Sequence, residues 1–281
     1  MGPRWRWHFL AMGCVLVLSA CSETDRPAPE APRGVATAAG VEMVPIPAGW
    51  FAMGSDAPDQ VDERPHRVWV DGFLIDRFEV TQREYERLMG KNPSRWKRPE
   101  CPVDQVRWPM AAAYCNARSR EEGLEEAYDL KTWACDFAAS GYRLPTEAEW
   151  ERACRAGTTG RFSCGDGELP DHAWFKDTCD RRPRPIGQKA PNPWGLHDVH
   201  GNVWEWCNDF YAEDYYARSP ERNPRGPDSG NTRVVRGGYW NSRPDHCRSS
   251  YREHQNPGYT DVCFGAETHG FVGFRCVRRP R

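Results

Sequence analysis

The stretch of sequence with the clearest signal for a helix start reads Arg143-Leu144-Pro145-Thr146-Glu147-Ala148-Glu149-Trp150. Thr146 and Glu149 form a capping box, in which each side chain accepts a hydrogen bond from the other residue's backbone amide. The pattern predicts a helix that begins after Thr146 and ends at Gly157, because glycine readily adopts the left-handed conformation that closes a helix. Cys154 shares the inner face of this helix with Trp150.

Shorter elements are predicted upstream. Residues 41–53 are interpreted as a strand pair with a turn at Ala48-Gly49, and residues 68–75 as a hairpin around Asp71-Gly72. Residues 54–64 are rich in acids, and we interpret them as a solvated loop. A second capping box, Thr81 with Glu84, begins a helix that ends near Met89, and the next helix covers residues 108–120.

The composition restricts the class of protein. The chain has 281 residues, with 25 Gly, 24 Pro and 13 Trp, and a formal net charge of −2. This length fits one large domain or two small ones, and this composition favours a loop-rich fold with an aromatic core. The charge gives no reason to expect nucleic acid as a partner.

Two further motifs lie towards the C-terminus. The first reads Trp194-Gly195-Leu196-His197-Asp198-Val199-His200-Gly201-Asn202-Val203-Trp204-Glu205-Trp206-Cys207. The second reads Arg236-Gly237-Gly238-Tyr239-Trp240-Asn241-Ser242-Arg243-Pro244-Asp245-His246-Cys247. Its two glycines allow a turn or a close approach of backbone, because they have no Cβ.

The motifs resemble those of the formylglycine-generating enzymes, also called sulfatase-modifying factors. The resemblance extends to Cys247-Arg248-Ser249-Ser250-Tyr251-Arg252 and to Gly273-Phe274-Arg275-Cys276, and it covers residues 42–279. It implies the family fold, an α+β domain that is a variant of the C-type lectin fold, loop-rich, with few regular elements and with disulfides.

The resemblance also implies what the second motif would do in an active enzyme. There, a serine follows the two glycines, and two cysteines five residues apart bind copper(I) and oxidise a substrate cysteine to formylglycine. By position, Tyr239 replaces the serine, Ser242 replaces the first cysteine, and Cys247 matches the second. Copper(I) is soft and prefers a pair of thiolates. We therefore expect a copper site that is incomplete, because it lacks one thiol, and no copper cofactor.

Two functions follow as alternatives. The first is a non-catalytic module at the cell surface, which binds a peptide, protein or glycan in a groove rimmed by Tyr239, Trp240, Arg243 and Arg248. The second is an oxidoreductase or protein-modifying enzyme of the same family with altered chemistry, in which Cys247 and Ser242 are the candidate catalytic residues.

Calcium is the cofactor that the resemblance supports. The family holds this ion with the side chains that match Asp198 and Glu205 and with the carbonyls that match Gly201 and Val203. A hard cation prefers such oxygen ligands. In the alternative interpretation, Glu205 only satisfies buried backbone N–H groups.

Iron is a weaker possibility from a related branch. Ergothioneine-type relatives of the domain bind non-haem iron through three histidines. His197, His200 and His246 are candidates, but we expect neutral core or surface histidines.

The chain has twelve cysteines. Cys14 lies in the signal peptide predicted below and Cys21 is its predicted acylation site, so ten cysteines remain. An even number in an exported protein argues for disulfides. The resemblance implies a bridge between Cys115 and Cys276. We also predict a Cys154–Cys247 bridge, with an unpaired buried thiol or a reactive thiol at Cys247 as the alternatives.

The N-terminus is typical of an export signal. Two arginines precede a short apolar run, and Leu18-Ser19-Ala20-Cys21 matches a bacterial lipobox. We predict a lipoprotein signal peptide at residues 1–20 and an acylated Cys21 with a flexible tether at residues 21–41. The main domain is predicted at residues 42–279. Ser22 favours the outer membrane, and an ordinary signal peptide with a chance cysteine is the alternative.

Overall fold

The first strands of the domain form one long antiparallel hairpin that bends where it passes from one sheet to another. The computed structural model describes residues 1–2, 34–56, 61–258 and 271–280. In it, Ile46 pairs with Phe73 and Gly49 pairs with Val70, so the register continues through the bend. Gly72 lies at the bend, where a Cβ would come within 3.4 Å of the Ile46 carbonyl oxygen.

Two local predictions are therefore wrong. Residues 41–53 do not fold back at Ala48-Gly49, and residues 68–75 do not fold back at Asp71-Gly72. Both dipeptides lie at the bend, and the two segments pair with each other over their whole length. A turn-forming dipeptide marks a bend as readily as a hairpin, and only long-range pairing distinguishes the two cases.

The strands form three sheets. The described residues contain ten strands: β1 (Val35–Ala36), β2 (Glu42–Ile46), β3 (Gly49–Met53), β4 (His66–Val70), β5 (Phe73–Asp76), β6 (Trp204–Phe210), β7 (Arg233–Arg236), β8 (Glu253–Gln255), β9 (Val272–Gly273) and β10 (Val277–Arg278). Their orders are β1-β2-β5-β10, β3-β4 and β8-β7-β6-β9, and only β6 and β9 pair in parallel.

Helices are few and mostly short. The described residues contain α1 (Gln82–Met89), α2 (Trp108–Glu121), α3 (Glu147–Arg155) and α4 (Leu169–His172). Both predicted capping boxes are present, at Thr81 with Glu84 and at Thr146 with Glu149. Helix α3 ends with Ala156 in the left-handed conformation at φ 49°, one residue before the predicted glycine.

Helix α3 is the central element of the fold. It packs against β3, β4, β6 and β7. All nine of its residues are buried, although five of them are charged, namely Glu147, Glu149, Glu151, Arg152 and Arg155. Its inner face carries Glu147, Trp150, Glu151 and Cys154 in the i, i+3, i+4, i+7 pattern of a core-facing stripe. Two carboxylates therefore lie inside the core and require buried cations.

The predicted signal and anchor lie outside the described residues, as do Cys14, Cys21 and Cys263. The described residues from 34 onward form one compact unit, to which the elements above belong. Within the described ranges, no helix has the length and hydrophobicity needed to cross a bilayer.

Candidate functional site

Arg236 fixes the start of the Arg-Gly-Gly segment at the end of β7. Its guanidinium donates to Glu147 Oε1 at 2.9 Å, to Glu151 Oε2 at 2.6 Å and to the Ser249 carbonyl at 2.6 Å. Its side chain has no exposed surface. A buried charge needs partners of this kind, so the two glutamates of α3 hold the segment in place.

The two glycines after Arg236 have left-handed conformations that other residues rarely adopt. Gly237 has φ 93° and Gly238 has φ 80°. A Cβ on Gly238 would lie 2.7 Å from Cys247 Sγ, and one on Gly237 would lie 3.2 Å from the Trp150 ring. The glycines therefore allow the segment to press against both α3 and the Cys247 thiol.

Ser242 is a turn residue. Its hydroxyl oxygen accepts a hydrogen bond from the Tyr239 amide at 3.0 Å, and its own amide donates to the Tyr239 carbonyl at 2.8 Å. Only 2% of Ser242 is exposed. The hydroxyl closes the turn from inside, in the manner of a side chain that mimics backbone.

Cys247 lies in a small apolar cluster. It is completely buried and packs with Phe162, Leu169, Ala173 and Phe175. Burial raises the pKa of the Cys247 thiol far above its usual range, and the nearby Cys154 raises it further. A thiol in such surroundings is neutral at physiological pH, and it is a poor nucleophile and a poor metal ligand.

Cys154 and Cys247 are neighbours, as the sequence predicts for a bridge, but both are thiols in this structure. His200 lies beside them. Its Nδ1 donates to the Cys247 carbonyl at 2.8 Å, and both of its ring nitrogens are 3.9 Å from Cys154 Sγ. Burial raises the pKa of Cys154 to about 12.

His200 is a neutral core histidine. Its Nε2 accepts from the Ser163 amide at 3.1 Å, and Nδ1 faces a carbonyl, so the proton belongs on Nδ1. Burial lowers its pKa to about 4. His197 stacks on Phe78 and His246 stacks on Tyr251. The structure thus places the three candidate iron ligands in separate surroundings.

Cys115 and Cys276 lie side by side in the main core. Their sulfur atoms are 3.7 Å apart, and both residues are completely buried. Both are thiols here. This placement supports the expected partnership, while the bond between them stays a prediction.

The four residues expected to rim a groove have different surroundings. Tyr239 and Trp240 are each 7% exposed and pack with Phe271. Arg243 is exposed. Arg248 is 6% exposed and binds Glu63, with Nη1 2.8 Å from Oε2 and Nη2 3.1 Å from Oε1.

Glu63 contradicts the prediction of a solvated acidic loop. The residue is completely buried, and Asp62 is only 7% exposed. Asp62 accepts from the Tyr211 hydroxyl at 2.9 Å. The sequence pattern missed these contacts because their partners lie more than a hundred residues away along the chain.

A cleft of about 720 Å³ opens beside Arg248. The loop after β3, the segment after α3 and the segment after Cys247 all contribute to its walls. Among the polar lining residues are Arg155, Arg161, Asp245 and Tyr251. Of the lining residues, sequence reasoning assigned only Arg248 to the ligand groove and His246 to an iron site, and the other walls come from segments far apart in the chain.

The calcium motif lies in a buried group of carboxylates. Glu205 Oε1 and Oε2 accept from Arg275 at 2.7 Å each, and Oε2 also accepts from Trp150 Nε1 at 2.9 Å. Asp198 Oδ2 accepts from the Gly187 amide at 2.7 Å. Asp198 Oδ1 is buried and has no hydrogen-bond partner in the described part of the chain.

Glu79 is a member of this group that the sequence did not reveal. It is buried and accepts from Asn202 Nδ2 at 2.7 Å. Burial, with the nearby charges of Asp198 and Glu205, raises its pKa well above the usual range. Burial also raises the pKa of Asp198 to about 6. One arginine, Arg275, faces three carboxyl groups, so it cannot balance the charge of all three when they are ionised.

Comparison with known proteins identifies the family. Residues 29–280 match the sequence profile of the sulfatase-modifying factor enzyme 1-like domain. This chain belongs to the sulfatase-modifying factor family. Its architecture, with few helices, mixed sheets and long loops, is the formylglycine-generating-enzyme fold.

Relatives of several kinds share the domain. A formylglycine-generating enzyme of Thermomonospora curvata is 30% identical, over 85% of this chain and 93% of that protein. Serine/threonine-protein kinase pkn1 of Chlamydia pneumoniae is 34% identical, over 93% of this chain and 41% of the kinase. The chain therefore spans about two fifths of the length of that kinase.

A solved structure agrees with the fold. Treponema denticola variable protein 1 superposes with a TM-score of 0.77 and 31% identity, over 88% of this chain and 99% of that one.

No group of three or more His, Cys, Asp or Glu side chains is arranged for a metal within the described ranges. A calcium site of two carboxylates and two carbonyls would not form such a group. The unpartnered Asp198 oxygen and the excess of carboxylates are nevertheless what a hard cation would neutralise. Asp198 thus has an oxygen that could bind such an ion, whereas both oxygens of Glu205 are engaged by Arg275, and calcium at this place stays a prediction.

Proposed function

We propose that this family member is a non-catalytic ligand-binding module, displayed on the outer membrane by an acylated Cys21. The observation that carries the proposal is the state of the two positions that hold copper in active relatives. Ser242 closes a turn with its hydroxyl, and Cys247 is buried with a raised pKa. Neither side chain offers the accessible thiolate that copper(I) requires.

Calcium has a structural role in this proposal. Asp198 and Glu205 would hold the ion with the carbonyls of Gly201 and Val203, and the ion would supply positive charge and no redox chemistry. Asp198 carries the main support, because its buried Oδ1 has no partner among the residues that the structure describes. The ion would secure the turn that precedes β6, where Asp198 and Asn202 have φ of 59° and 61°.

The decisive experiment is a formylglycine assay. The purified protein, loaded with copper(I), is incubated with a cysteine-containing sulfatase peptide, and the product is followed by mass spectrometry. The enzyme of Thermomonospora curvata serves as the positive control, and Ser242→Cys tests whether one restored thiol is enough. We expect no conversion by the natural protein. Formylglycine formation by it would overturn the proposal in favour of an enzyme with altered chemistry.

A further inference from the structure

We propose that the cleft beside Arg248 binds a neutral saccharide. The inference rests on the proposed binding function and names its ligand class. The volume of about 720 Å³ lies within the usual range for small-molecule sites. The cleft is distinct from the aromatic cluster of Tyr239 and Trp240, which do not line it. Its chemistry comes from two buried guanidiniums, several hydroxyls and rim carboxylates.

Arg155 forms one rigid wall. It is 6% exposed, and its Nε donates to Glu151 Oε1 at 2.8 Å. Its Nη1 donates to the Gly160 carbonyl at 3.2 Å, and its Nη2 donates to the Gly54 carbonyl at 2.8 Å. A guanidinium has five N–H donors. In the described part of the chain, one N–H on each terminal nitrogen therefore stays available to a ligand.

Arg248 is held in the same way. Its Nε donates to the Asp245 carbonyl at 3.0 Å, and Nη1 donates to Glu63 and to the Ser250 hydroxyl at 2.8 Å each. Its Nη2 donates once, to Glu63 Oε1 at 3.1 Å. Because buried carboxylates fix both guanidiniums, their free N–H groups point in set directions, which lowers the entropy lost on binding.

The charges of the cleft are balanced. Arg155 pairs with Glu151, Arg248 pairs with Glu63, and Arg161 pairs with Asp245 at the rim. Asp56 lines the cleft and has no ion pair among the described residues. With no surplus of positive charge, the cleft does not favour a phosphate, sulfate or carboxylate.

Hydroxyl groups complete the lining. The Tyr251 ring is fixed between Trp204 and His246, with ring centroids 6.1 Å and 4.7 Å away. Burial raises the pKa of Tyr251 to about 12, so its hydroxyl keeps its proton. A sugar hydroxyl both accepts and donates. It matches a surface that combines N–H donors, hydroxyls and a carboxylate, whereas an anion would use only the donors.

The test is binding of the purified full chain to an array of neutral and anionic oligosaccharides, followed by calorimetry with the best neutral trisaccharide. Thr159 is an exposed lining residue, and Thr159→Trp would fill the cleft. Thr132→Trp, on an exposed loop outside the cleft, is the matched control. We expect Thr159→Trp to abolish binding, the control to leave it unchanged, and Tyr251→Phe to weaken it about three- to tenfold.

Three results would overturn the inference: no neutral oligosaccharide binds, only anionic ones bind, or binding survives Thr159→Trp. The formylglycine assay is independent of these results. Turnover there would refute the non-catalytic function whatever the array shows, and an empty array would refute only the ligand class.

Discussion

Arg252 donates hydrogen bonds to both carboxylate oxygens of Glu147, with Nε 2.7 Å from Oε1 and Nη2 3.0 Å from Oε2. Neither side chain is more than 2% exposed. Arg236 donates to the same Oε1 of Glu147 at 2.9 Å, so two buried arginines share this glutamate. Buried ion pairs thus join α3 both to β7 and to the segment after Cys247.

This pair should be important for stability. Arg252→Ala leaves Glu147 buried with Arg236 as its remaining strong partner, so we expect a loss of about 3 kcal/mol in the free energy of unfolding. Chemical denaturation of the two proteins measures it. Arg218→Ala is the control, because Arg218 forms only an exposed ion pair with Asp214. This variant should unfold at the same denaturant concentration as the natural protein. Equal losses from the two variants would contradict the assignment.

The state of Cys247 gives a second prediction. In protein purified from an oxidising compartment, non-reducing peptide mapping should recover Cys154 linked to Cys247. The bridge would close a loop of about ninety residues, worth about 4–5 kcal/mol in the chain-entropy model, so Cys247→Ser should destabilise strongly. Cys164→Ser, at a half-buried thiol, is the control. Rapid alkylation of Cys247 in the folded, non-reduced protein would show that the thiol is reactive.

Calcium removal should lower the melting temperature. An ion that binds only the native state stabilises it by about 2.7 kcal/mol at a free concentration one hundredfold above its Kd. Asp198→Asn should abolish the response to a chelator. Asp198→Asn is preferable to Glu205→Ala, because the latter would also leave Arg275 buried without its carboxylate partner. Asp228→Asn, at an exposed acid, should respond like the natural protein. Absence of calcium from the purified protein by metal analysis would refute the site.

Asp104 should produce a pH dependence of the opposite sign to that of a typical ion-paired acid. It is completely buried, and its Oδ2 has no partner among the described residues. Burial raises its pKa from 3.8 to about 7. Between these values the folded state binds the extra proton, so its contribution to stability falls as pH rises from about 4 to about 7.

The difference of about three pKa units corresponds to about 4 kcal/mol. Asp104→Asn stays neutral, so it should be more stable than the natural protein at pH 8 and similar to it near pH 4. Urea titrations at both values measure the effect, with Asp166→Asn as an exposed control. A variant with the same pH profile as the natural protein would show that Asp104 is not the group responsible.

The lipid anchor is tested in cells. Cys21→Ala should remove palmitate labelling and either release the protein or leave it uncleaved in the inner membrane, since several acyl chains are needed for stable anchoring. Ser22→Ala keeps the thiol and should label normally. Labelling that persists in the Cys21 variant would refute the lipoprotein hypothesis.

The sequence predicted what depends on neighbours in the chain. The capping boxes at Thr81 and Thr146 need only residues three positions apart, and both helices begin where expected. The bent hairpin was missed because its two arms give the same local signals as two separate turns. Glu63 was missed because its partner, Arg248, is 185 residues away.

A signal for the buried ions was nevertheless present. Glu147 and Glu151 share one helical face with Trp150 and Cys154, so the face that should enter the core contains two acids. Such a face requires buried cations from elsewhere in the chain. The arginines of the C-terminal motifs, Arg236 and Arg252, are those cations. The sequence therefore showed that the two glutamates need buried cations, but it did not show which arginines bind them.

The burial of α3 also has a consequence for synthesis. The helix emerges from the ribosome about ninety residues before Arg236, and more than a hundred before Arg252. Until then Glu151 has only Arg155 of the same helix as a partner and Glu147 has neither of its arginines, and burying Glu147 uncompensated would be strongly unfavourable. The nascent domain must therefore wait, with α3 undocked, until nearly the whole polypeptide is available, and a chain truncated before Arg236 should stay unfolded and protease-sensitive.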